Sequence, residues 1–86
     1  MPLSYNFPIV SVKNVSFSAS HTQLFETFAP FGRIYQIRHN PSEMGHYFVI
    51  FYNLSSAQAA AKELNGVNLE GRYLVTSIHG VEKTKI

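Results

Sequence analysis

The 86-residue sequence contains no cysteine, no tryptophan and no aspartate; its five acids are all glutamates. Without cysteine there is no disulfide, thiolate zinc site or cysteine nucleophile. Without aspartate, Ser-His-Asp triads and Asp-rich metal loops are excluded. Only 14% of residues are charged, too few for the repelling composition of a disordered chain. No apolar run approaches the roughly 18 residues that a membrane span needs, so no membrane partner is expected. The N-terminus shows neither the basic region nor the long apolar stretch of a secretory signal.

What is present is apolar and aromatic. Hydrophobic residues make up 45% of the chain, with 7 Phe and 5 Tyr. That supplies one dense core, which a domain of this size needs because it buries only about 60–65% of the surface its unfolded chain exposes. The formal net charge of +2 permits a polyanionic partner without demanding one.

The pattern predicts a lead-in over 1–8, a folded domain over 9–79 and a tail over 80–86. Ile9 to Val15 is β-rich and reads as a strand. Ser20 followed by Gln23 forms a capping box for a helix carrying Leu24, Phe25 and Phe28. Pro30 and Gly32 end it, with Phe31 packed back beneath. These four apolar residues are assigned to the core. Ile34 to His39 is a second strand, and Asn40 to Gly45 is a polar turn. His46 to Tyr52 is the strongest β signal. Ser55 or Ser56 begins a second helix, whose Ala57, Ala60, Ala61 and Leu64 make an apolar stripe ending at Gly66. Tyr73 to Ile78 is the fourth strand. The order β-α-β-β-α-β predicts an α+β, ferredoxin-like fold: one four-stranded antiparallel sheet with both helices on one face.

That order resembles the RNA-recognition motif (RRM) family, and local signatures support the likeness. Met44-Gly45-His46-Tyr47-Phe48-Val49-Ile50-Phe51 is similar to the RNP-1 pattern at Gly45, Phe48, Val49 and Phe51. Val10-Ser11-Val12-Lys13-Asn14-Val15 fits RNP-2 except at Ser11. Phe31-Gly32-x-Ile34, Ala57…Leu64-Asn65-Gly66 and Gly71-Arg72-x-Leu74 follow in family order. A narrower likeness, through Gln36-Ile37-Arg38, Asn40-Pro41 and Arg72-Tyr73-Leu74-Val75, is to the small branch-site RRM subunits of splicing factor 3b. It implies a nuclear role in pre-mRNA splicing near the branch site. It also implies a protein partner, the large HEAT-repeat subunit of that factor.

RRMs use the open sheet face to stack bases on aromatic rings and to hold phosphates with basic residues. Alternation puts Tyr47, Val49 and Phe51 toward the helices, and His46, Phe48 and Ile50 outward. Ser11 and Lys13 share the open face, as do Gln36 and Arg38. The expected RNA-binding set is therefore Ser11, Lys13, Gln36, Arg38, His46, Phe48 and Ile50, with single-stranded RNA as ligand. Ser11 stands where the family places a ring, and Met44 where it places a basic residue. Tyr47 replaces a small residue, and the Ala57, Ala60 and Ala61 face is expected to give it room. A peptide-binding sheet, or an RRM belonging to a larger mRNA regulator, are the alternative readings. The four histidines lie on separate elements without metal-ligand spacing, and no nucleophile or phosphate loop accompanies Glu43 and His46. No enzyme, cofactor or metal is expected.

Overall fold

In the computed structural model, residues 4–5, 8–79 and 81–82 are described. The remaining parts of the predicted lead-in and tail lie outside the described residues. The elements in chain order are β1 (Ser4–Tyr5), β2 (Ile9–Lys13), α1 (His21–Phe28), β3 (Ile34–His39), β4 (Tyr47–Phe51), α2 (Leu54–Glu63), β5 (Asn68–Leu69), β6 (Arg72–Tyr73), β7 (Val75–Ile78) and β8 (Val81–Glu82). The main sheet has the order β3-β4-β2-β7, antiparallel throughout. The β-α-β-β-α-β arrangement is therefore present, supplemented by a β5–β6 hairpin and a β1–β8 pair that joins lead-in to tail.

Period-2 alternation sets the two faces of the sheet. Val10, Val12, Val49 and Phe51 point under the helices and are essentially inaccessible. With Leu24, Phe28 and Leu74 they form the centre of the core. Each such side chain stabilises by about 1.5–3 kcal/mol relative to exposure. The α2 face of Ala57, Ala60 and Ala61 is buried, and its small side chains let that helix lie close on β2, β4 and β7.

Both helices are fixed at their ends. At α1 the Ser20 hydroxyl accepts from the Gln23 N–H at 3.2 Å, and Gln23 Oε1 accepts from the Ser20 N–H at 2.9 Å. The helix tightens into a 3-10 turn over Ala29–Phe31, where Pro30 cannot continue the ladder. Gly32 follows, and a Cβ there would come within 2.6 Å of Ser56 Cβ on α2. The last turn of α2 leaves carbonyls without helical partners. One of them, Ala61 O, accepts from the buried Thr76 hydroxyl at 2.6 Å, which ties the helix to β7.

Several expectations need correction. Phe25 is 49% exposed, because the buried stripe of α1 runs through Leu24 and Phe28 and leaves Phe25 about 100° away. α2 begins at Leu54, with Asn53 as N-cap, ahead of the expected serines. The predicted strand over Tyr73 to Ile78 is divided at Leu74. Its N–H donates to Val67 O at 2.9 Å, and its carbonyl accepts from Gly66 N–H at 2.7 Å, so the backbone there serves the helix-end turn. Tyr73 pairs instead with Asn68 in the hairpin. Tyr47 finds its room against the rings of His21 (5.5 Å) and His39 (4.8 Å), on the α1 side of the sheet.

Candidate nucleic-acid interface

Helices cover one face of the sheet. The other face carries the residues that alternate with the core: Ile9, Ser11 and Lys13 on β2, Phe48 and Ile50 on β4, Gln36 and Arg38 on β3, and Val75 and Ser77 on β7. Cross-strand registers bring them into rows. Ser11 stands opposite Phe48 on one side and Ser77 on the other, and Arg38 stands opposite Phe48.

Phe48 is the centre of this face and is half-buried. The His46 ring lies 4.7 Å from it and the His79 ring 5.0 Å, both tilted. Beside it is a shallow hollow of about 220 Å³ lined by Ile9, Arg38, Phe48, Ile50 and His79. Its floor is apolar and aromatic, and its rim holds a guanidinium. Among the described residues the one acid–base contact is Glu43–His46, so no described carboxylate pairs with Arg38 or Lys13. A planar ring set on Phe48 would find an apolar contact below and a cation within reach of an attached phosphate.

Two members of the expected set are placed on this face but closed. Ser11 and His46 are each only 7% exposed, against the expectation of an open stacking ring at His46. Ser11 Oγ lies 2.8 Å from His46 Nε2. On the ring's other side, Glu43 Oε1 is 2.7 Å and Asn40 Nδ2 3.0 Å from Nδ1. The Asn40 amide is oriented by its Oδ1, which accepts from the Ser42 N–H at 2.9 Å. Nδ1 cannot donate to Glu43 and accept from Asn40 together. The shorter, charge-assisted contact to the carboxylate prevails and puts the proton on Nδ1. Ser11 Oγ then completes the contacts of the ring at Nε2. A polar network thus fills the place where a first-strand ring would stand.

Of the other expected residues, Lys13, Gln36 and Arg38 are exposed, and Phe48 and Ile50 are partly so. Arg38, Phe48 and Ile50 meet in one hollow, whereas Lys13 lies at the opposite end of the sheet. The sequence reading missed Ile9 and His79. Both follow the open-face alternation, Ile9 two residues before Ser11 and His79 two after Ser77. Ile9 is the first residue of β2 and His79 the residue just past the end of β7, so the same alternation finds both. His79 is held there by its N–H, which donates to Ile9 O at 2.8 Å.

The backbone at Gly45 also belongs to the site. It has φ 72°, and a Cβ there would sit 2.9 Å from Val15 O. Val15 N–H donates to Gly45 O at 3.0 Å, fastening the β3–β4 turn to the end of β2.

Residues 10–75 match the family model described as RNA recognition motif. The chain is 31% identical over 80 residues to the splicing factor 3B subunit 6-like protein of Schizosaccharomyces pombe, covering 91% of this chain and 70% of that one. It is 32% identical over 69 residues to splicing factor 3B subunit 6 of Drosophila melanogaster, covering 78% of this chain and 57% of that one. The chain therefore spans little more than half of the fly protein's length. The NMR structure of the RRM3 domain of Gbp2 superimposes with a TM-score of 0.77 at 28% identity, over 91% of this chain and 81% of that one.

Proposed function

Since the chain belongs to the RNA recognition motif family, a family of RNA-binding modules and not of enzymes, we propose that its open sheet face holds single-stranded pre-mRNA during splicing. The observation that carries this reading is the half-buried Phe48 ring beside Arg38, His79, Ile9 and Ile50 in one hollow. A base stacks on Phe48, and Arg38 meets a phosphate. Gln36, exposed on the neighbouring strand, offers an amide to a base edge. The closed Ser11–His46 pair removes one stacking position, worth roughly 1–3 kcal/mol, so affinity is modest. Binding weakens as salt rises, because phosphate contacts release counterions.

The splicing context rests on the relatives named as splicing factor 3B subunits. By that likeness the domain works in the nucleus, near the branch site, held by the large HEAT-repeat subunit of splicing factor 3b. A second reading has its own support. Ile9 and Ile50 make the floor of the hollow aliphatic, which suits a peptide side chain as well as a base.

Phe48→Ala separates these readings from a merely structural role. We expect RNA affinity to fall about 5- to 150-fold, the loss of one stack. Denaturant stability should fall by well under the roughly 3–5 kcal/mol of a core Phe truncation. Fluorescence anisotropy with short single-stranded RNAs reads the first and urea titration the second. Unchanged affinity per folded molecule would refute the assignment. Binding of partner peptide but not RNA, lost in the same variant, would favour the second reading.

A further inference from the structure

The sheet carries a second cavity that the Phe48 site does not use. It lies at the far end of β2, where the chain leaves for α1 and the β3–β4 turn rejoins the sheet. Its volume is about 340 Å³, and Lys13, Asn14, Phe17, Met44, Gly45 and Arg72 are among its lining residues. That is the lower end of the range of roughly 300–1,000 Å³ seen for small-ligand sites.

Three features of this cavity call for a ligand. Phe17 is 84% and Met44 75% exposed, so two loops each hold a large apolar side chain out to solvent at the same rim. The same two residues also line an adjoining hollow of about 200 Å³ with His39 and Tyr47, so they form a ridge with space on both sides. The cavity is also cationic, with Lys13 and Arg72 together in its lining. Glu43 lines it as well, with Oε1 turned to His46 at 2.7 Å, so the lining sets two cations against one carboxylate.

The walls are built rather than slack. Asn14 adopts φ 65°, and its side chain donates to Tyr73 O and accepts from Arg72 Nη1, both at 2.9 Å. This clasp orients the guanidinium while leaving its other N–H groups to meet an anion. The Val15–Gly45 hydrogen bond holds the two loops together beneath Phe17 and Met44.

We propose that this cavity takes one further nucleotide of a bound RNA strand, its phosphate toward Lys13 and Arg72 and its base on the Phe17–Met44 ridge. The inference rests on the RNA reading of the sheet and extends it. The strand leaves Phe48, crosses the closed Ser11–His46 pair without stacking there, and regains an apolar surface at the loops. Planar bases suit an exposed Phe ring and a polarizable thioether, and phosphate suits a guanidinium beside an ammonium.

The test titrates the isotope-labelled full chain with random-sequence RNA hexanucleotides and compares wild type, Phe17→Ala, Lys13→Gln and Phe48→Ala. The expected result is that amides of Asn14 and Gly45 shift together with those around Phe48 and His79. Phe17→Ala should weaken hexanucleotide binding about tenfold, the scale of one lost stack, with thermal stability unchanged because the ring is exposed. Lys13→Gln should reduce the slope of log affinity against log salt by about 1. Shifts confined to the Phe48 region, with Phe17→Ala binding as wild type, would overturn the second site while leaving the sheet reading intact. No response to RNA at either end would overturn both. Loop amides that respond to a partner peptide and not to RNA would overturn the nucleotide assignment.

Discussion

Replacing Ser11 by alanine removes one oxygen from the middle of the sheet and tests the polar network directly. The hydroxyl lies 2.8 Å from His46 Nε2, and both residues are 7% exposed, so no solvent stands ready to replace it. A buried polar atom left without a partner costs about 1–3 kcal/mol. The lower half of that range applies, because Glu43 still holds Nδ1 at 2.7 Å and keeps the ring in place. The expected loss is therefore about 1–2 kcal/mol, or roughly 4–16 °C in Tm for a domain of this size. Urea unfolding followed by circular dichroism measures it. A double-mutant cycle with His46→Phe isolates the pair: once the imidazole is gone, Ser11→Ala should cost little, giving a coupling of at least about 0.5 kcal/mol. A loss within about 0.5 kcal/mol for the single variant would mean that Ser11 behaves as an ordinary surface residue. The account of a closed stacking position would then fail.

Two further outcomes concern the scaffold. Gly45→Ala should destabilise by at least about 1 kcal/mol, since it forces a side chain into φ 72° and sets a Cβ 2.9 Å from Val15 O. A chemical-denaturation midpoint equal to wild type would contradict that geometry. Thr76→Val keeps the shape but leaves Ala61 O without its 2.6 Å donor, so we expect a loss of about 1–2 kcal/mol. Hydrogen exchange should show it as faster opening at the end of α2, and unaltered protection there would argue against the tether.

The fold and the sheet faces were legible because both depend on short-range periodicity. Val10 and Val12 against Ser11 and Lys13, and Val49 and Phe51 against Phe48 and Ile50, each fall on the side that alternation assigns. The closing of His46 was not legible. It needs Ser11, 35 positions away in the chain, and a turn that points Asn40 and Glu43 at the same ring nitrogen. No local pattern encodes that meeting. Phe25 misled for a different reason: an aromatic beside Leu24 reads as core, but one residue along a helix is a turn of about 100°. The division of the fourth strand at Leu74 came from long-range backbone demand at Gly66 and Val67, which propensity alone does not carry.

The pairing of β1 with β8 has a mechanical consequence. Ser4 sits opposite Glu82, and Val10 opposite Ile78, so tension applied through β1 and β8 enters the main sheet at two directly facing residues of β2 and β7. Such a pull opens the ladder like a zip, one hydrogen-bonded pair after another, instead of loading all its bonds together. Handles at Lys13 and Ile78, at opposite ends of the same strand pair, would load the ladder in shear. The domain therefore yields easily to force along its own chain and resists force across it, a difference in forced unfolding rate that equilibrium stability does not reveal.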